Sequence, residues 1–141
     1  MKGSYILIIR IPKEIEILVG KLGRIEFREG FYAYVGSAMN GLDGRIQRHL
    51  REKKRKFWHI DYLLEKAEIV DIFILESKRR IECDIAKNLA KIFRPVRRFG
   101  SSDCTCEGHL FSLDAELPNH LAEAIKVEGK VKHYAQHFKT V

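Results

Sequence analysis

The sequence has no apolar run near the ~20 residues needed to cross a bilayer, no internal repeat and no low-complexity segment. A membrane-spanning chain, a solenoid and a disordered tail protein are set aside on those grounds. Cysteine is scarce: Cys83, Cys104 and Cys106 are the three present, an odd number that cannot all pair within one chain. Proline is equally rare, with three positions, Pro12, Pro95 and Pro118, each where an element is expected to begin or end. The first residues lead through Lys2, Gly3 and Ser4 into the apolar run Tyr5 to Ile11, too short for an export signal and without a small-residue cleavage site. A cytoplasmic chain with reduced thiols is the expectation. At 141 residues, 45% apolar and 32% charged, residues 1–141 read as one domain around one core.

Positive charge is what the chain has in excess. The formal net charge is +7 and the sequence pI about 9.4, which favours a polyanionic partner. Arg48, Arg51, Lys53, Lys54, Arg55 and Lys56 form one cluster, and Arg94, Arg97 and Arg98 a second. Either group alone also reads as a solvated helix face or loop. Together they point to nucleic acid, with DNA ahead of RNA, and to no membrane partner.

Tyr5 to Ile11 is nearly continuously apolar, as in a central strand covered on both faces. Ile15 to Val19 and Arg24 to Arg28 alternate around a turn at Gly20 to Gly23, the pattern of a hairpin. A strand over Phe31 to Val35, a small-residue turn at Gly36, Ser37 and Ala38, and a helix from Gly41 or Leu42 follow. On that helix Leu42, Ile46 and Leu50 form the buried stripe, with Arg45 and His49 along its edge. Phe57 to Leu64 reads as a deeply packed helix, Ile69 to Leu75 as a buried strand, and Ile81 to Phe93 as a helix striped by Ile81, Ile85, Leu89, Ile92 and Phe93. Beyond a loop over Phe99 to Gly108, His109 to Leu113 fits a short strand and Leu117 to Val127 a surface helix.

Two places carry chemistry. Glu82 projects into the arc of Ile81, Leu89 and Phe93, so it is either a ligand for a hard divalent cation at a cleft floor or a first-turn glutamate angled to water. Cys104, Cys106 and His109 present three soft ligands in six residues, and His59 is the candidate fourth for zinc. The same loop also reads as small thiols packed tightly with His109 bonded to backbone, or as a thiol nucleophile activated by His59 or His109.

Gly3-Ser4-Tyr5, Tyr34-Val35-Gly36, Arg45, His49 and Glu82 resemble the GIY-YIG nuclease superfamily in order and residue type. The longer strings Tyr34 to Ala38, Arg48-His49, Trp58 to Leu63, Glu82-Cys83 and Gly100 to Phe111 are similar to those of an uncharacterised GIY-YIG-like domain family of microbes, sometimes fused to endonuclease III. The resemblance spans roughly residues 3 to 113 and implies an α/β (α+β) fold: a small, mainly antiparallel sheet flanked by helices. It departs from the typical pattern in the 28 residues between Tyr5 and Tyr34, enough for the extra hairpin between the first two core strands. By resemblance, Tyr5 or Tyr34 assists deprotonation of water, Arg45 stabilises phosphate charge, His49 orients water or phosphate, and Glu82 holds one magnesium or manganese ion. The implied function is a metal-dependent endonuclease, with DNA repair as its setting. The alternative is a noncatalytic nucleic-acid-binding module of the same fold.

Overall fold

A computed structural model describes residues 1–102, 104–114, 121 and 131–134. Strand β1 (Gly3–Ile11) is buried at every position but Arg10 and lies inside the sheet, as its unbroken apolar sequence requires. A hairpin, β2 (Ile15–Leu18) and β3 (Arg24–Phe27), is joined through a single 3₁₀ turn at Gly20–Leu22 and forms a separate two-stranded sheet. Then come β4 (Gly30–Ala38), α1 (Leu42–Leu50), α2 (His59–Leu64), β5 (Glu68–Glu76), α3 (Glu82–Ala90), β6 (Arg94–Pro95), β7 (Leu110–Asp114) and β8 (Lys132–His133). The main sheet runs β6-β7-β4-β1-β5-β8, and every neighbouring pair is antiparallel. The fold is α+β, and the hairpin between the first two core strands is present.

Period-two alternation along β1 divides the core in two. Tyr5, Leu7, Ile9 and Ile11 pack with Leu42, Ile46, Ile60, Leu63 and Phe99 on one face, where α1 and α2 lie. Ile6 and Ile8 pack with Ile81, Ile85, Leu89 and Phe111 on the other, under α3. Ile92, expected in the α3 stripe, is 63% exposed because the helix has already ended at Ala90. Phe57 is 78% exposed for a related reason: α2 begins only at His59, so its ring lies outside the packed helix. Among the described residues no helix is long and apolar enough to cross a membrane. The expected helix over 117–127 lies outside the described residues apart from Leu121.

Gly36, Ser37 and Ala38, expected as a turn, instead continue β4, and the turn falls at Met39 and Asn40. The extra length has a purpose in the packing. Tyr5 faces Gly36 directly across the β1–β4 ladder, and a Cβ on Gly36 would sit 2.3 Å from the Tyr5 hydroxyl and ring carbon. Gly36 is therefore the floor on which the tyrosine ring lies. Gly36→Ala is expected to force that ring from its place and to lower stability by about 1–3 kcal/mol in urea titration; unchanged stability would show that the ring can shift without cost.

Candidate functional site

The antiparallel arrangement brings the start of β1, the end of β4, the end of β5 and the start of β7 to one end of the sheet. Tyr5, Tyr34, Glu82 (just beyond β5) and His109 (just before β7) meet there for that reason. With Arg45 and Trp58 they line a cleft of about 540 Å³. His49 is buried behind them at 2% exposure and reaches Tyr5 rather than the solvent.

Each side chain in the cleft is held by a nameable contact. The Tyr5 hydroxyl and His49 Nε2 are 2.7 Å apart. Arg45 donates from Nη1 to the Ser37 carbonyl at 3.0 Å, and its guanidinium carbon lies 4.5 Å from the centre of the Trp58 ring. That contact orients a planar cation with nitrogens to spare for an anion. Tyr34 packs edge-on to both His49 and Phe99. Tyr32 faces the same side of β4, but its hydroxyl donates to the Arg28 carbonyl at 2.8 Å, which is a packing role. Glu82 opens α3 with its side chain 22% exposed; Oε1 lies 3.7 Å from Arg80 Nη1 and Oε2 3.8 Å from His109 Nδ1.

Burial controls the protonation states. It raises Tyr5 above the ordinary phenol value, and the neighbouring Arg45 opposes only part of that rise. Tyr34 is raised by burial and by Tyr5 beside it. His49 is lowered by burial to about 3, so it is a neutral imidazole at pH 7.

The basic cluster is not uniform. Arg48 clasps the buried Asp61 with two bonds of 2.9 Å, donates to the Arg55 carbonyl and lies over Trp58 at 4.3 Å. It is thus a framework residue, unlike the exposed Arg51, Lys53 and Arg55. Lys54 donates to the His49 and Arg51 carbonyls, and Lys56 pairs with Glu65 while remaining exposed. Asp61 also accepts from the Phe57 and Trp58 amides. Burial works to raise its pKa, but the Arg48 fork and these amides prevail and hold it below the ordinary carboxylate value. Asp61 and Trp58 are two site residues that the sequence reading did not single out. Their signal was an aromatic and an acid directly after a basic run.

Beside Glu82, Cys83 of α3 meets Cys104, Cys106 and His109 of the loop before β7, with all four ligand atoms within 4.8 Å of one another. His59, expected as the fourth member, belongs elsewhere: its Nδ1 accepts from the Gly100 amide at 2.9 Å. Gly100 turns there with φ +73°. Burial together with the adjacent Cys106 and Cys104 thiols pushes Cys83 up to about 12, and burial also raises Cys106. Both shifts favour the neutral thiol over the thiolate.

A family model for a domain of unknown function, DUF123, matches residues 4–130. The chain belongs to DUF123. No curated protein and no solved structure matches it. The DUF123 match takes in every cleft residue named above, from Tyr5 to His109.

The buried histidine has a measurable consequence. Unfolded, His49 protonates near 6.5; folded, only near 3, so between those values the unfolded chain binds more protons and stability falls as pH drops. From pH 7 to pH 5 this group alone is expected to remove about 2 kcal/mol. Urea titrations of His49→Gln should show correspondingly less acid sensitivity; equal slopes for variant and wild type would contradict the assignment.

Proposed function

We propose that this DUF123 protein is an endonuclease of GIY-YIG type that hydrolyses a phosphodiester bond in nucleic acid with one magnesium or manganese ion held by Glu82. The observation that carries this reading is the convergence of Tyr5, Tyr34, Arg45 and Glu82, from four separate elements, on one open cleft. A core requires no arginine and glutamate at the same end of a sheet beside two tyrosines.

Glu82 suits a hard cation. It offers one carboxylate at an open cleft, and a hard cation held there would take its other ligands from water and phosphate oxygens. Such an ion, when bound, supplies charge neutralisation at the leaving oxygen. The softer thiols next to Glu82 take no part in that step.

The chain's own groups do the rest. Arg45, fixed by Ser37 and Trp58, forks onto the phosphate and stabilises the added charge as water attacks. Tyr5 and Tyr34 orient that water. Tyr5 is neutral before reaction, and its hydroxyl, held against the neutral His49, positions the attacking water, whose proton leaves to the solvent of the open cleft. Phe57, exposed at the cleft rim, presents a ring on which a base can stack. Arg51, Lys53 and Arg55 extend the positive surface for the flanking phosphates.

The test is a panel of branched, flapped, nicked and single-stranded DNA and RNA with magnesium or manganese. Wild type is expected to cut at least one substrate. Glu82→Gln should bind that substrate but not cut it, and Arg45→Ala should slow cleavage by about 10²–10³-fold, with Arg45→Lys a poor rescue. Cleavage by Glu82→Gln at the wild-type rate would remove the single-metal assignment. Binding without any cleavage by wild type would favour the noncatalytic module.

Salt dependence checks the interface separately. Neutralising Arg51, Lys53 and Arg55 should flatten the log–log slope of affinity against salt by about one for each phosphate those side chains hold, whereas wild-type binding indifferent to salt would exclude a phosphate-reading surface.

A further inference from the structure

All three cysteines of the sequence arrive at one point, although α3 and the loop before β7, distant in sequence, supply them. His109 is 3% exposed and turns Nε2 into the cluster, 3.4 Å from Cys104 Sγ and 3.9 Å from Cys83 Sγ. Zinc bonds of about 2.3 Å to sulfur and 2.0–2.1 Å to nitrogen make a tetrahedron with S···N edges of about 3.5 Å and S···S edges of about 3.8 Å. Both measured S···N distances lie within a few tenths of an ångström of that edge. The widest separation in the cluster, within 4.8 Å, needs to close by only about 1 Å.

The surroundings agree with the donor set. The main chain of His109 is fixed on both sides: its amide donates to the Phe99 carbonyl at 2.7 Å, and its carbonyl accepts from the Val35 amide at 2.9 Å. Its other ring nitrogen, Nδ1, lies 3.8 Å from a Glu82 carboxylate oxygen, beyond a direct hydrogen bond, and a ligating imidazole commonly has a carboxylate or carbonyl near its far ring nitrogen. The three thiols are each partly exposed, which leaves an entry path. Packing alone explains the proximity of two thiols, but not the selection of three thiols and an imidazole around one centre.

We propose that Cys83, Cys104, Cys106 and His109 bind a structural zinc ion that ties the start of α3 to the loop before β7. On binding, the dication takes three thiolates and the Nε2 lone pair, and three protons leave to solvent. The bound charge itself favours the thiolate form. With four protein ligands the ion has no open position, so its role is to hold the loop and the cleft wall rather than to activate water. A Cys₃His set selects zinc over magnesium or calcium, which take oxygen ligands.

The experiment reads zinc without any nuclease assay, on full-length protein purified with no added metal. Elemental analysis should find one zinc per chain, and a mercurial reagent should release it as three thiols are titrated. Cobalt substituted into wild-type protein should show tetrahedral ligand-field bands with thiolate charge transfer, which tests the ligand set without relying on any variant to fold. Cys83→Ser and Cys106→Ser should lose the metal, and His59→Gln should keep it. Wild type that holds no zinc and gives only a weak octahedral cobalt spectrum would overturn the proposal. So would full zinc occupancy in Cys83→Ser together with its loss in His59→Gln.

Discussion

The cleft depends on the register between β1 and β4. Nine residues pair in order from Gly3 with Ala38 to Ile11 with Gly30, and this pairing sets Tyr5 over Gly36 and puts Tyr34 on the same face. A slip of one residue would place the two tyrosines on opposite faces of the sheet, turning one of them to the α3 side. The apolar content of both faces specifies the register strongly, since each face must be buried under its own helices. The glycine at position 36 then selects one arrangement, because no other residue type leaves room for the ring.

A second layer of constraint works behind the first. The half-buried Arg48 pairs with the buried Asp61, and removing the guanidinium would leave that carboxylate buried without its cation. The pair does more than join α1 to α2. Asp61 gathers the Phe57 and Trp58 amides, which fixes Trp58 at the start of α2, and Trp58 carries the guanidinium of Arg45. The orientation of the cation beside the two tyrosines therefore rests on a carboxylate with no exposure to the cleft. His49 is held from the other side by Trp58 and Tyr5, so burial of the imidazole and placement of Arg45 arise from the same packing.

Much of this was legible in the residues. The hairpin, the start of α1 and the buried character of β1 follow from periodicity and turn residues, which act locally, whereas β5, expected to be a buried strand, buries only Ile72, Ile74 and Leu75 and leaves Val70 exposed. Glu82 could be singled out because an acid on an apolar stripe is a local contradiction. The rest depends on tertiary contacts that spacing does not encode. Arg48 reads as one more member of a basic run until its partner is seen 13 residues away. His59 is as near to the thiol loop in type as Cys83, and only the folding of α3 against the loop separates a ligand from a backbone acceptor. Gly36 to Ala38 looked like a turn because small residues mark turns, whereas here their smallness accommodates an aromatic ring within a strand.

Glu82 and Cys83 are consecutive on α3 yet face different neighbours, and that adjacency explains how two metal chemistries can share one wall. On a helix, successive side chains diverge by about 100°, enough to send a carboxylate into the open cleft and a thiol into the cluster. Hard and soft ligands are thereby kept apart, so an ion suited to oxygen gains little from the thiols and a thiophilic ion gains little from a single carboxylate. His109 is the group that touches both, with Nε2 among the thiols and Nδ1 toward Glu82. An ion on Nε2 would leave the ring proton on Nδ1, the nitrogen 3.8 Å from Glu82. In the proposed arrangement a single imidazole adjoins both halves of the wall, and any coupling of the two sites through it acts equally in both directions.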